Sequence, residues 1–328
     1  MTMTDLLRGR LRLPVICSPL FIISGPELVI AQCKAGIIGS FPALNARPPE
    51  MLDDWLAQIN EELAAHDARH PDRPAAPFAV NQVVNKMSTR LDSDMEICEK
   101  HKVPLIITSL GAREDVNQAV HRWGGQVYHD VTTNFYAHKA IDKGADGLIA
   151  VAAGAGGHAS DVSPFALMQE IRAWWDGPLA LSGCISTGRS ILAAEAMGAD
   201  FAYIGSAFIA AAEANAVEDY KQMIVDSEAK DIMMTDLFTG HPGNYLRPSI
   251  ERAGLDPEQL HLETKETLEW TLNHKKVKRW KDVWGAGQGI GAVDAVRPVE
   301  AIVDRWVDDY DKAKSGLMRE SSMLRSVA

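Results

Sequence analysis

The chain repeats one short pattern from end to end of its first two-thirds. An apolar, β-rich run stops at a small or polar residue, and a segment with helical spacing follows. The runs are 14-PVICSPL-20, 36-GIIGSF-41, 77-PFAVNQV-83, 103-VPLIITS-109, 126-QVYHD-130, 145-ADGLIAV-151, 178-PLALSGC-184 and 200-DFAYIGS-206. Between them, 51-MLDDWLAQINEELAA-65 sets Leu52, Trp55, Leu56, Ile59 and Leu63 on a single stripe. The stretch 187-TGRSILAAEAMGA-199 offers Ser186 or Thr187 as a helix cap and Gly198 as a stop. Strands alternating with helices predict βαβ units and a parallel sheet. Right-handed crossovers then let successive units wind round and close. Eight units predict an α/β chain folded as a (β/α)8 TIM barrel over residues 1–227. An open doubly wound sheet offers GxGxxG after its first strand, and Pro19-Leu20-Phe21 has nothing of that kind.

Past the eighth unit the pattern breaks. Residues 228–282 read as a mostly helical cap or insertion, with polar turns at 240-GHPGNYLRP-248 and 254-GLDP-257. The basic stretch 273-NHKKVKRWK-281 reads as a solvated helix face. Then 284-WGAGQGIGAVDAVRPVEAIVDRW-306 opens a return segment, 283–328, with a glycine-rich turn before an amphipathic helix. Its apolar side is expected to hold Val293, Val296, Val299, Ile302 and Val303, and the tail after Lys312 to fray.

Composition limits the partners. A net charge of −11 without a sizeable basic block argues against a nucleic-acid or anionic-membrane surface. There is no signal-peptide layout and no apolar run of spanning length. Cys17, Cys33, Cys98 and Cys184 lack metal-ligand spacing, and no HExxH or acidic metal cluster is visible, so no metal is expected. These features predict a cytoplasmic protein with reduced thiols.

In such barrels chemistry sits at the carboxyl ends of the strands. Here those ends carry Ser18 and Pro19, Asn81 and Gln82, His129 and Asp130, the loop 151-VAAGAGGHAS-160, Ser182-Gly183, and Gly205-Ser206. The seventh and eighth loops are where barrels commonly hold phosphate, on backbone amides and a helix N-terminus. Together 182-SGCISTGRS-190 and 204-IGSAF-208 read as a phosphate cradle. Beside it, Gly154, Gly156 and Gly157 could let a planar ring pack on backbone, with His158 at its edge. No strand-end lysine suits a Schiff base, so flavin mononucleotide (FMN) fits better than pyridoxal phosphate. The bland readings stand beside these: turn glycines, a capping histidine, and a structural His129–Asp130 pair.

The same stretches carry a resemblance. PVICSPL, FAVNQ, AGGH, PLALSGCISTGR, GADFAYIGSAFIAAAE and WGAGQGIG occur in an order that resembles the nitronate monooxygenases, once called 2-nitropropane dioxygenases. The resemblance implies an FMN-dependent barrel enzyme that oxidises alkyl nitronates with O2 to a carbonyl compound and nitrite. It puts the phosphate near Ser182, Gly183, Cys184, Gly205 and Ser206. It puts the ring near Pro19, Leu20, Asn81, Asp130 and Gly156, with Trp284, Gly287 and Gln288 closing over it. His158 matches the family's active-site histidine, which binds nitro oxygens or takes an α-proton. Three departures stand out: Asp130 where a basic residue is common, Val151 for a carboxylate, and GCISTG for GGIADG. The expected partners are a nitronate or nitroalkane and O2, acting on a monomer or homodimer. An FMN-dependent NAD(P)H:quinone or enoyl-thioester reductase stays open, as does a flavin-free phosphosugar or nucleotide barrel.

Overall fold

The eight runs are the eight strands of a parallel barrel. A computed structural model describes residues 7–85, 88–262 and 281–317, with a few positions between 266 and 278. The barrel strands are β1 (Val15–Cys17), β2 (Gly39–Pro42), β3 (Phe78–Val83), β4 (Leu105–Ser109), β5 (Gln126–Val131), β6 (Gly147–Val151), β8 (Leu179–Ser182) and β9 (Phe201–Ile204). Their order is β1-β9-β8-β6-β5-β4-β3-β2, with parallel neighbours throughout. The ends of the sheet meet where Cys17 N–H donates to Ile38 O at 2.8 Å and Ile38 N–H donates to Val15 O at 3.0 Å. That junction closes the barrel.

The helices between strands are α1 (Pro26–Lys34), α2 (Met51–Arg69), α3 (Leu91–Lys100), α4 (Glu114–Arg122), α5 (Asn134–Asp142), α6 (Pro164–Arg172) and α7 (Gly188–Ala196). The expected stripe on α2 is real where it matters most, since Leu52, Leu56 and Ile59 are fully buried. Thr187 caps α7: its hydroxyl accepts from Ser190 N–H while Ser190 Oγ accepts from Thr187 N–H. A cap of this kind is worth about 1 kcal/mol.

Strand periodicity builds the floor of the site. Side chains two apart share a strand face. Ile16, Ile38, Ala79, Ile107, Tyr128, Ile149, Ala180 and Phe201 fill the barrel interior as one apolar cluster. Two residues further on, the same inward face carries Ser18, Ser40, Asn81, Ser109, Asp130, Val151, Ser182 and Tyr203. The interior therefore turns from apolar to polar within one pleat, at its carboxyl end.

The segment after β9 departs from expectation. Helix α8 (Glu218–Asp226) leads to β10 (Ile232–Thr235) and β11 (Gly243–Leu246), an antiparallel pair where a mostly helical stretch was expected. Alternation in 232-IMMT-235 is too short to stand out from noise. Strand β11 in turn pairs with β7 (Gly157–His158), so the sixth barrel loop becomes the third strand of this small sheet. Helix α9 (Arg247–Arg252) follows, and Phe238, Tyr245, Ile250, Leu255 and Val283 pack a satellite core. The basic stretch 273–281 lies largely outside the described residues.

The return helix α10 spans Val299–Leu317. It starts later than the apolar spacing suggested: Val293 and Val296 precede it, and Val296 is exposed. Pro298 explains the boundary, because proline lacks the N–H that a preceding turn would need. Helix α10 packs on α7 where Gly188 faces Trp306 O and Tyr310 N, contacts that leave no space for a Cβ. Residues 318–328 lie outside the described part.

Candidate active site

The polar layer opens into a cavity of about 1090 Å³ at the carboxyl end of the barrel. Ser18, Asn81, Ser109, Asp130, Val151, Ser182 and Tyr203 all line it. So do Pro19, Leu20, Gly156, His158, Gly205 and Ser206. Nine of the residues expected from the sequence thus meet at one space: Pro19, Leu20, Asn81, Asp130, Gly156, His158, Ser182, Gly205 and Ser206.

A hydrogen-bonded chain crosses the floor. Asn81 Nδ2 donates to Ile107 O at 3.1 Å and to Ser109 Oγ at 2.7 Å. Ser109 Oγ donates to Asp130 Oδ2 at 2.6 Å, and Asp130 Oδ1 is buried with no partner among the described residues. Burial raises the Asp130 carboxyl to about 6, against the smaller opposing effect of the Ser109 hydrogen bond. His129 does not pair with Asp130. It points the other way on β5, with Nδ1 2.6 Å from Thr108 Oγ1, and burial pushes its imidazole down to about 4.

His158 is set by the segment that covers the barrel. Its backbone pairs with Gly243, and Ala159 N–H donates to Pro242 O at 3.0 Å. Thr239 Oγ1 donates to His241 O at 3.2 Å. A hydroxyl has one proton, so at 3.1 Å His158 Nε2 is the donor to that oxygen. The His241 ring lies 5.6 Å away, edge to face, and also lines the cavity. Burial first, and His241 second, hold the His158 pKa below its ordinary value. That shift favours the neutral imidazole, the form able to take a proton.

Two glycines of the sixth loop, Gly154 and Gly156, are needed for chain crossings. A Cβ on Gly156 would come within 2.8 Å of Gly287 N and 3.0 Å of Ala286 C. A Cβ on Gly154, whose φ is +82°, would collide with Cys184 Sγ. The return segment is thereby laid directly on the loop: Gln288 N–H donates to Gly154 O at 2.9 Å, and Gly287 N–H to Ser206 Oγ at 2.8 Å. Gly183 and Cys184 also lie behind the cavity wall, with Cys184 Sγ 3.8 Å from Gln288 Oε1. The amides of Gly183, Cys184, Gly205 and Ser206 have no protein acceptor among the described residues. They make the candidate anion-receiving rim, after the seventh and eighth barrel strands.

Trp284 is placed elsewhere. It stacks on Tyr220 at 4.4 Å, carries the Arg252 guanidinium at 3.5 Å over its ring, and is almost fully buried. Of the five remaining expected residues, Gly183, Cys184, Trp284, Gly287 and Gln288, none lines the cavity; Gly285 does so instead. Ser109, Tyr203 and His241 were not singled out from the sequence. The first two could have been found by extending the inward period by two residues. His241 lies in a loop with no periodic signal.

Comparison with known proteins agrees with this fold. The family described as nitronate monooxygenase matches residues 3–309. A nitronate monooxygenase of Paraburkholderia phytofirmans is 26% identical over 282 residues, covering 74% of this chain and 76% of that protein. Across three curated relatives the match spans 61%, 76% and 86% of their lengths. FabK from Thermotoga maritima superposes with a TM-score of 0.79 at 24% identity, covering 96% of this chain and 97% of that one. A nitroalkane oxidase from Streptomyces ansochromogenes gives a TM-score of 0.73 at 23% identity, covering 96% and 99%. These two likenesses show the shared barrel.

Proposed function

Because the chain belongs to the nitronate monooxygenase family, a family of oxidoreductases, we propose that it is an FMN-dependent enzyme that oxidises alkyl nitronates. The substrate class includes propionate 3-nitronate, the second substrate is O2, and the products are a carbonyl compound and nitrite. The observation that carries this reading is the meeting of two features at one cavity. The acceptor-free amides of Gly205 and Ser206 lie on one side, and His158, its pKa held down by burial, stands on another.

The residues fit the cofactor. Gly183, Cys184, Gly205 and Ser206 would hold its phosphate on backbone N–H groups, as helix N-termini and glycine turns do elsewhere. Asn81 and Asp130 offer polar atoms on the floor, including the unpartnered Asp130 Oδ1. When bound, FMN supplies the electron transfer between the organic substrate and dioxygen. The protein's own work is binding, orientation and proton handling. His158, fixed by Thr239 through Nε2, would accept the α-proton of a neutral nitroalkane at Nδ1, and the N–H so formed would then hydrogen-bond the nitronate oxygens. The sheet of β7, β10 and β11 brings His158 and Met234 to the edge of the same cavity.

Purified protein loaded with FMN and given propionate 3-nitronate is the test. Oxygen uptake matched by nitrite release is expected. Absence of both with every nitronate tried would refute the reading.

A further inference from the structure

In the inward-facing layer at the carboxyl end of the barrel, Asp130 is the one carboxylic acid. Its companions are four serines, Asn81, Val151 and Tyr203, and none of them is a base. Ser109 donates to Asp130 Oδ2, and Asn81 fixes that hydroxyl by donating to Ser109 Oγ. Oδ1 is buried without a partner, and no ion pair reaches the carboxyl, both among the described residues. The other titratable groups around the cavity are spread over several elements. Tyr203 on β9 is hydrogen-bonded to Ser18, and burial first and Asp130 second push its phenol up. His158 and Asp161 come from the sixth loop, His241 from the turn before β11, and Lys139 from α5. His129 also borders the space but is held by Thr108. Lys139, the lysine among these, is solvent-exposed, where its charge is screened. A carboxyl placed in this way has little to stabilise its charge, and a second negative charge in the cavity raises that cost further.

We propose that Asp130 takes up a proton from solvent when the flavin bound in this cavity is reduced. This coupling rests on the FMN-binding reading above and not on which organic reductant supplies the electrons. The flavin gains two electrons and one proton and is left one unit more negative. The second proton goes to the Asp130 carboxylate, so the net charge of the cavity is the same before and after reduction. Ser109 sets where the coupling begins, because its hydrogen bond favours the charged carboxylate.

The test is a potentiometric titration of the FMN-loaded wild type, Asp130→Asn and Ser109→Ala, with dithionite as reductant, across the acid-to-neutral pH range. Below about pH 6 the potentials of wild type and Asp130→Asn are expected to run parallel. Above it the wild-type potential is expected to fall more steeply. The extra slope is up to tenfold in the reduction equilibrium per pH unit, about 30 mV for a two-electron couple. In Ser109→Ala the steeper limb is expected to begin at higher pH. A second readout is the infrared difference spectrum on reduction above pH 6. A protonated-carboxyl band is expected to appear in the wild type and to be missing in Asp130→Asn. Parallel potentials at every pH, or a band that persists in Asp130→Asn, overturn the coupling and leave the flavin-binding reading standing. Protein that takes up no FMN overturns both.

Discussion

Ser109 donates its hydroxyl to Asp130 across 2.6 Å, at the inner carboxyl ends of β4 and β5, and leaves Asp130 Oδ1 without a partner among the described residues. One hydrogen bond offsets part of the cost of burying a carboxylate, so the acid form is favoured and its pKa stands near 6.

This relationship sets a pH dependence of stability. The folded pKa is raised above the ordinary 3.8, so the associated stability is fully present below that value and is lost as pH rises through about 6. Ionisation then costs up to about 3 kcal/mol. Asp130→Asn keeps the shape without the charge. In denaturant titrations of cofactor-free protein, the variant is expected to be the more stable above pH 6, with the gap closing toward pH 4. A gap independent of pH contradicts the assignment.

His158→Asn separates proton transfer from binding. The anion rim lies on other loops, so the variant is expected to retain FMN. Its turnover of neutral nitroalkanes is expected to fall by on the order of 100-fold or more, the usual worth of a general base. Preformed nitronates need no proton removed and are expected to lose far less. Because burial lowers the His158 pKa, the wild-type rate with nitroalkanes is expected to decline only on the acid side of the ordinary 6.5. Equal loss with both substrate forms would assign His158 to binding alone.

Gly156→Ala tests the crossing of the sixth loop and the return segment. The added methyl meets backbone at Gly287 and Ala286, which cannot rotate away as a side chain can. Destabilisation of about 1–3 kcal/mol is expected from such overpacking. Loss of the Gly287–Ser206 hydrogen bond should loosen the eighth loop as well. Thermal unfolding of the cofactor-free variant measures the first effect, and an unchanged midpoint contradicts it.

The barrel was legible because its signal is local and repeated. Each strand is a short apolar run closed by a turn residue, and each helix carries its own stripe. Much of the site was legible for the same reason, since Asn81, Asp130 and Ser182 stand at strand ends that the pattern marks. The contribution of residues 228–282 was not, because β10 and β11 are four residues each and are defined by pairing with one another and with β7. Trp284 misled for a related reason. Its glycine-rich neighbourhood suggests a ligand contact, while Tyr220 and Arg252, the groups that sandwich it, lie far away in sequence. The glycines at 154 and 156 admit the same lesson. Sequence tells that a Cβ is unwelcome there, but only the fold tells that the close neighbours are Cys184 and the 286–287 backbone.

The central claim is an FMN-dependent enzyme whose reductant is a nitronate. Its most direct measurement is the visible spectrum of the purified protein, followed by anaerobic mixing with propionate 3-nitronate and, separately, with NADH or NADPH. The expected result is a flavin absorption band that the nitronate perturbs or bleaches within the turnover time and that the nicotinamides leave unchanged. A band bleached rapidly by NADH or NADPH and untouched by the nitronate, or no flavin band even after FMN is added, would contradict the claim.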